Sequence, residues 1–368
     1  MAYLGENNHF SFHDGLCEAL PRVSICSANI STLGQILSLH FNRFYIGCED
    51  FSKISELYAL CSGISEGGGE VYICENTDMP SLRFGCTLLP VDCGIFILNG
   101  TPLKIAIFNK NGFVISESTL SQIMKSEKPN LSEQQGNIYS MTSFRNVYIN
   151  NLMDIYKESV ENLSSGVSCG NRNVRTLWQQ FFKCNDDDFV LQITDNGNNV
   201  NAYSTKHGYI PAEKLILAYC VKNGIKGQTV LLPDSFHYAL ENTEKLPENS
   251  ILRFKSIHDI PDWNGESRFL WDWLYMCIDL LRDKREFFTL IDQLSQISIS
   301  KREIAFRASE LFANSPYIMT KNGRVIITRS DKRMIAVIAQ TLSAETSAEL
   351  CAEWCEKLRK LDICRDFP

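Results

Sequence analysis

The feature of this sequence that most restricts its fold is the alternation of short apolar runs with segments of helical periodicity. The run RFYIGCED at 43–50 predicts a strand that ends in an acidic turn. Apolar residues then recur at helical spacing from Ile54 to Ile64, and the glycines at 67–69 end that helix. EVYIC at 70–74 predicts the next strand. Alternating strands and helices favour a parallel sheet covered on both faces, so the sequence predicts an α/β fold.

The alternation continues through the first part of the chain. Residues 81–91 fit a second helix, and GIFIL at 94–98 and LKIAIF at 103–108 fit two further strands. The residues at 109–112 are typical of a hairpin turn before FVIS. A polar interval at 126–135 then predicts a linker, so we expect a domain boundary near residue 140.

A second α/β unit is predicted to start with DFVLQIT at 188–194 and to continue, after the turn DNGNN, into a helix at 211–224. Proline in the first turn of that helix and glycine at its end suit a helix of this length. From residue 317 onward the sequence predicts three strands and a long closing helix, which is typical of an α+β domain. We therefore predict several small domains, with ranges 1–140, 141–187, 188–300 and 301–368.

Composition excludes several classes of protein. The 368 residues are 44% hydrophobic and 21% charged, and the net charge of -7 has mixed signs without a basic tract, so nucleic acid is not an expected partner. The polar N-terminus lacks the pattern of a secretory signal, and no apolar run reaches membrane-spanning length. We expect no membrane partner and a cytoplasmic location.

The fourteen cysteines are scattered and lie mostly in apolar stretches, which is typical of buried thiols in a reducing compartment. Cys351 and Cys355 would share one helix face and could begin a metal site. No histidine lies near them in the sequence, so core packing is the favoured interpretation.

The order RFYIGCED, ISEGGGEVYICENTDMPSL, GIFILNGTPLKIAIF, NKNG and FVIS resembles the phosphohexomutase family of phosphoglucomutases and phosphomannomutases. Members of that family interconvert 1-phosphosugars and 6-phosphosugars through a phosphoserine and a bound magnesium ion. The resemblance spans about residues 40–368 and implies four domains around a substrate. Only one strand and one helix at 165–182 remain for the second domain, so the resemblance implies that 141–187 is a reduced form of it.

Two of the four family loops depart from the pattern in their chemistry. The phosphoserine loop reads roughly T-A-S-H-N-P, whereas residues 98–102 here read LNGTP, leaving Thr101 as the catalytic candidate or NGTP as a structural turn. The metal loop reads D-x-D-x-D-R, whereas residues 195–200 here read DNGNNV. The resemblance implies Asp195 and Asn199 as the remaining metal ligands, and a solvated turn is the alternative.

The other two loops keep more of their residues. The sugar loop G-E-x-S-G-H corresponds to GESR at 265–268, which implies Glu266 and Ser267 as sugar-binding residues, with plain loop chemistry as the alternative. The phosphate loop R-P-S-G-T corresponds to RSDKR. It implies a phosphate site of one serine and three cations, namely Arg329, Ser330, Lys332 and Arg333. A basic solvated turn without a ligand is the alternative there.

The framework with altered loops predicts a phosphohexomutase-like protein that is catalytically inactive and needs no cofactor. We expect it to bind a phosphosugar, another anion or a protein partner through the old cleft. The alternative is an active phosphosugar mutase, an intramolecular phosphotransferase that uses Thr101 as phosphate carrier and Mg²⁺ at Asp195 and Asn199. A third alternative is a structural subunit of an authentic mutase.

Overall fold

The computed structural model divides into two compact units, each of which is described by itself. The N-terminal unit comprises Ala2–Ile210 and Arg268–Ile278, and the C-terminal unit comprises Pro211–Ser267 and Asp279–Pro368. The four predicted domain ranges are finer than this division and stay predictions. The residues that the structure describes are 10–13, 16–19, 26–125, 134–156, 163–183, 188–194, 196–233, 251–254, 267–307, 317–331 and 334–364.

A seven-stranded sheet forms the centre of the N-terminal unit. Its strands are β1 (Phe10–His13), β2 (Leu16–Ala19), β3 (Arg43–Cys48), β4 (Glu70–Cys74), β5 (Cys93–Leu98), β6 (Lys104–Asn109) and β7 (Ile138–Ser140). Their spatial order is β1-β2-β6-β5-β3-β4-β7. The predicted strands at 43–50, 70–74, 94–98 and 103–108 are confirmed.

The prediction of a parallel sheet is wrong for the strands that follow β5 at one edge of the sheet. Strands β5, β3, β4 and β7 are parallel, whereas β6 runs antiparallel to β5 and β2 runs antiparallel to β6. The connection from β5 to β6 covers only residues 99–103, which is too short for the crossover that parallel neighbours need. The predicted FVIS strand is reduced to one bridge between Phe108 and Val114.

Helices cover both faces of this sheet, as the sequence predicted. They are α1 (Ser27–Ser38), α2 (Ile54–Glu66), α3 (Met79–Leu88) and α4 (Glu117–Ile123). Adjacent residues of β3 face opposite sides: Phe44 and Ile46 join the core under α1 and α2, and Tyr45 joins the core under α3. This alternation explains why β3 reads as a continuous apolar run.

A smaller four-stranded sheet lies in the same unit. Its strands are β8 (Gly166–Ser168), β9 (Phe189–Ile193), β10 (Val200–Ser204) and β11 (Gly208–Ile210), and the helices of this region are α5 (Arg145–Ile155) and α6 (Arg172–Trp178). The sequence prediction took the turn after β9 directly into a helix. Instead, β9, β10 and β11 form an antiparallel meander, because the turns between them are short enough for hairpins.

The C-terminal unit begins with α7 (Ala212–Ile225) and the parallel strands β12 (Val230–Pro233) and β13 (Ile251–Phe254). Helix α8 (Trp273–Leu281) starts in the segment that belongs to the N-terminal unit, and α9 (Lys284–Gln293) follows it.

An antiparallel sheet follows in order β14-β17-β16-β15, with β14 (Ser298–Ala305), β15 (Ile318–Thr320), β16 (Gly323–Asp331) and β17 (Met334–Thr341). Helix α10 (Ala344–Cys364) covers this sheet, and Cys351 and Cys355 lie in the core between them. The three strands and the closing helix predicted from residue 317 onward are confirmed, and β14 was not predicted. Among the described residues, no helix is both long and apolar enough to cross a membrane.

Candidate functional site

A cavity of about 840 Å³ opens in the N-terminal unit at the carboxyl ends of three parallel strands. Its lining includes Glu49 and Asp50 after β3, Asn76 and Asp78 after β4, and Asn99 after β5. Ligands of α/β sheets bind outside the carboxyl ends of the strands, where loops from several strands meet. The cavity therefore occupies the position that the sheet topology favours for binding.

A hydrogen-bonded cluster fixes the cavity wall between β3 and β5. The Oδ1 atom of Asp50 accepts a bond from the backbone N–H of Ser52 at 2.7 Å, and its Oδ2 atom accepts one from Nδ2 of Asn99 at 2.9 Å. The hydrogen bonds from Ser52 hold the pKa of Asp50 below its usual range. An ionised Asp50 thus holds Asn99 at the cavity edge.

The wall after β4 contains a buried carboxyl group. Asp78 is 1% exposed and caps α3, with Oδ1 accepting a bond from the backbone N–H of Ser81 at 2.9 Å. Its Oδ2 atom lies 3.8 Å from Nη1 of Arg145, which is outside hydrogen-bond distance. Burial raises the pKa of the Asp78 carboxyl.

The third wall comes from the start of α6 and the turn before β10. Asn171 caps α6 by accepting bonds from the backbone N–H groups of Asn173 and Val174. Asn173 donates to the backbone oxygen of Glu49 at 3.4 Å, and Nη2 of Arg145 donates to the backbone oxygen of Asn173 at 3.1 Å. These bonds join the start of α6 to the end of β3 and to α5.

The predicted catalytic residue lies beside the cavity rather than on its wall. Leu98 and Asn99 line the cavity, whereas Thr101 is exposed and is not among the lining residues. Gly100, just before it, has a φ of 119°, a conformation that glycine adopts without strain. The NGTP segment thus bends directly after β5, and the catalytic role of Thr101 stays a prediction.

The turn that corresponds to the metal loop meets the cavity through Thr194 and Asn196. Asp195 lies outside the described residues. Asn199 is exposed, is not among the lining residues, and its Oδ1 atom accepts the backbone N–H of Val200 at 2.9 Å.

The remaining amide oxygens of this turn are also engaged within the protein. Oδ1 of Asn196 accepts bonds from the hydroxyl of Thr194 and the backbone N–H of Asn198, and Oδ1 of Asn198 accepts one from Nη1 of Arg83. A magnesium ion needs oxygen ligands that are free to form an octahedron. Each of these amide oxygens already accepts at least one hydrogen bond, and the described residues contain no group of three His, Cys, Asp or Glu side chains that could hold a metal ion. The metal-binding role of Asp195 and Asn199 stays a prediction.

Arg83 holds the turn in place and was not singled out from the sequence. Its Nε atom donates to the backbone oxygen of Gly112 at 2.7 Å, and its guanidinium lies over the rings of Phe108 and Trp271 at 5.0 and 5.1 Å. Burial lowers the pKa of Arg83 to about 10. The arginine in the otherwise apolar stretch of α3 was the sequence signal for this role.

The sugar-binding role of Glu266 and Ser267 stays a prediction. Glu266 lies outside the described residues, and Ser267 is buried and is not among the lining residues. Arg268 donates from Nε to Oδ2 of Asp272 at 2.7 Å and lies over the ring of Phe84. Arg268 therefore has a structural role in the N-terminal unit.

The phosphate-loop residues lie at the end of β16. Arg329 pairs with Ile335 of β17, and a register shift falls between Arg329 and Asp331, with Ser330 between them. Lys332 and Arg333 lie outside the described residues. Their role as a phosphate site stays a prediction.

Sequence reasoning missed most of the cavity wall. The polar residues Glu49, Asp50, Asn76 and Asp78 directly follow strands that the sequence did predict, and this position was the available signal. Arg172, also on the wall, follows a Gly-Asn pair and carried no such signal.

Solved structures of known proteins have an architecture similar to that of this chain, although sequence comparisons find no match. No protein-family model matches the chain, and no curated protein sequence matches it. Its structure is similar to a phosphoglucomutase/phosphomannomutase family protein of Burkholderia thailandensis, with a TM-score of 0.70 and 11% identity over 94% of this chain and 96% of that chain. A protein assigned as a phosphomannomutase from Thermus thermophilus has a TM-score of 0.68 and 10% identity over 96% and 99% of the two chains.

A third similar structure is the exocytosis-sensitive phosphoprotein pp63/parafusin, a phosphoglucomutase of Paramecium, in an open form. Its TM-score is 0.55, with 8% identity over 85% of this chain and 86% of that chain. Because these structures match nearly the whole length, from the large sheet to the C-terminal sheet, the chain has the phosphohexomutase fold.

Proposed function

We propose that this protein binds a phosphosugar in the cavity and does not transfer the phosphoryl group. One observation carries the proposal: among the described lining residues, Thr194 is the one with a hydroxyl group. That hydroxyl donates to Oδ1 of Asn196 at 2.9 Å and accepts the backbone N–H of Asn199 at 3.1 Å. A phosphoryl carrier needs a hydroxyl that a base can deprotonate and that can reach the substrate, so Thr194 does not suit that role.

The composition of the wall supports a sugar as the ligand. Five asparagines line the cavity, namely Asn76, Asn99, Asn171, Asn173 and Asn196. Amide side chains both donate and accept hydrogen bonds, and sugar hydroxyls require partners of both kinds. A cavity of about 840 Å³ falls within the usual range for small-molecule sites.

The geometry gives less support to an active mutase. The alternative needs Thr101 as phosphate carrier, but Thr101 is exposed outside the cavity lining. It also needs Asn199 as a metal ligand, but that amide oxygen already accepts a backbone bond. A protein that binds the phosphosugar without transferring its phosphoryl group needs neither Thr101 nor Asn199 in the cavity lining.

The test combines turnover and binding on the full chain. With magnesium, glucose 1,6-bisphosphate and glucose 1-phosphate or mannose 1-phosphate, we expect no conversion to the 6-phosphate. We expect the same 1-phosphates to raise the melting temperature, because a ligand at about 100 times its Kd stabilises the folded state by about 2.7 kcal/mol.

A Thr101→Ala variant is the matched control. Efficient turnover by the wild-type chain that this variant abolishes, together with a phosphate adduct on Thr101 by intact-mass analysis, would show an enzyme and refute the proposal.

A further inference from the structure

Several acceptor groups that line the cavity already accept hydrogen bonds from the protein, whereas some donor groups have no partner among the described residues. Both carboxylate oxygens of Asp50 accept bonds from the protein, as do the amide oxygens of Asn171 and Asn196. Oδ1 of Asp78 accepts the backbone N–H of Ser81, whereas its Oδ2 accepts no hydrogen bond among the described residues and lies 3.8 Å from Nη1 of Arg145. The fold itself thus uses the acceptor atoms of Asp50, Asn171 and Asn196.

Some donor groups of the cavity lining have no hydrogen-bond partner in the described chain. Arg172 is exposed, lines the cavity, and its side chain forms no hydrogen bond or ion pair within the described chain. The exposed side chain of Asn76 is likewise unengaged among the described residues. The Nδ2 groups of Asn171 and Asn196 also have no acceptor in the described part of the protein.

A second cation lines the same cavity. Lys104 lines the cavity and is 3.7 Å from Oε1 of Glu18, with 41% of its side chain exposed. Exposed ion pairs of this length are weak, so Lys104 can turn to another anion at small cost. The unengaged guanidinium of Arg172 and the weakly held ammonium of Lys104 are positively charged donors, and they complement a ligand group that only accepts hydrogen bonds, which describes a phosphate group.

We propose that Arg172, assisted by the side-chain amides of Asn76 and Asn196, binds a phosphate group in this cavity. The inference rests on the proposed function in one respect, since a phosphosugar would supply that phosphate. Inorganic phosphate has the same chemistry and serves as the separate probe. The guanidinium can form two parallel charge-assisted bonds to phosphate oxygens, whereas the amides add neutral donors.

The experiment measures Kd by calorimetry for inorganic phosphate, glucose 1-phosphate and glucose. Arg172→Ala is expected to weaken binding of both phosphates about tenfold, which is the size of a lost charge-assisted hydrogen bond. Arg172→Lys should lie between wild type and alanine, because it keeps the charge but loses the planar fork. Asn76→Asp should also weaken both phosphates, since it adds a negative charge to the wall.

Arg175→Ala is the matched control. Arg175 is an exposed arginine one turn further along α6, outside the cavity lining, and donates to the backbone oxygen of Cys169 at 3.4 Å. This variant should bind both phosphates as the wild type does. The side chains of Arg172 and Asn76 have no partner in the described chain, so their substitution should preserve folding.

The outcomes separate the two proposals. Unchanged phosphate affinity in Arg172→Ala overturns the Arg172 site while leaving phosphosugar binding intact. Loss of inorganic phosphate binding in Arg172→Ala, combined with a glucose 1-phosphate affinity no better than that of inorganic phosphate, supports the site and refutes the phosphosugar function. Failure of the wild type to bind either phosphate overturns both.

Discussion

At the residue scale, Asp78 is an acidic side chain of the cavity lining that is almost completely buried. Its carboxyl is buried, accepts one hydrogen bond from the backbone N–H of Ser81, and lies 3.8 Å from Arg145. Because burial raises the pKa of Asp78 above its unfolded value, the unfolded chain loses this proton first as the pH rises. Folding stability therefore falls as the pH increases from below the unfolded pKa through the folded one.

Asp78→Asn should raise the melting temperature at pH 7 and change it less at low pH. Asparagine caps a helix about as well as aspartate and carries no charge to bury. Thermal unfolding at both pH values measures the difference. A lower melting temperature at pH 7 would show that the contact with Arg145 outweighs burial.

Asp283→Asn is the control for this prediction. Asp283 caps α9 in the same way, but it is exposed, and bonds from the backbone N–H groups of Glu286 and Arg285 lower its pKa. The stability that it contributes is present above its unfolded pKa and is lost as the pH falls. Its asparagine variant should therefore show no gain at pH 7.

At the scale of elements, α1 and α2 approach each other closely at two glycines. A Cβ atom on Gly63 would overlap the backbone carbonyl of Ser31, and one on Gly34 would overlap the backbone of Leu60. The sequence analysis predicted α2 and its glycine stop, but it did not predict α1 or this contact. Periodicity within one helix does not report which helix packs against it.

Gly63→Ala tests this contact, because helix propensity and packing predict opposite signs. In a free helix alanine is more favourable than glycine by about 1 kcal/mol. Against the Ser31 carbonyl we expect destabilisation of about 3 kcal/mol, measured as a lower urea midpoint. Ser62→Ala, an exposed position in the same helix, should change the midpoint little, and a stabilised Gly63→Ala variant would contradict the close packing.

At the scale of the whole molecule, the chain path interleaves the two units. Residues 268–278 belong to the N-terminal unit although the chain on both sides belongs to the other. This segment supplies Asp272, whose Oδ1 accepts the hydroxyl of buried Tyr148 at 2.6 Å, and Arg268, which lies 4.9 Å from the Phe84 ring centre. The N-terminal unit therefore needs residues from far along the sequence.

A fragment of residues 1–210 should consequently be much less stable than a chimaera in which a Gly/Ser linker joins 1–210 to 268–281. Without Asp272 the buried hydroxyl of Tyr148 loses its partner, which costs about 1–3 kcal/mol. Urea unfolding followed by circular dichroism compares the two. An Asp272→Ala chimaera is the control, and equal stability of fragment and chimaera would refute the role of the segment.

The sequence alone determined the order of strands and helices from residue 43 to 108 and from 317 to the end, because burial on two sheet faces leaves a local periodic pattern. It also led to the phosphohexomutase fold through that order. The tertiary structure decided the antiparallel direction of β6, the exposure of Thr101, and the meeting of Asp50, Asn76 and Arg172 at one cavity. Strand direction, side-chain exposure and the cavity lining depend on the length of the connections and on the order of the strands in the sheet. These factors bring residues together that are distant in the sequence, so no single segment shows a periodic pattern that predicts them.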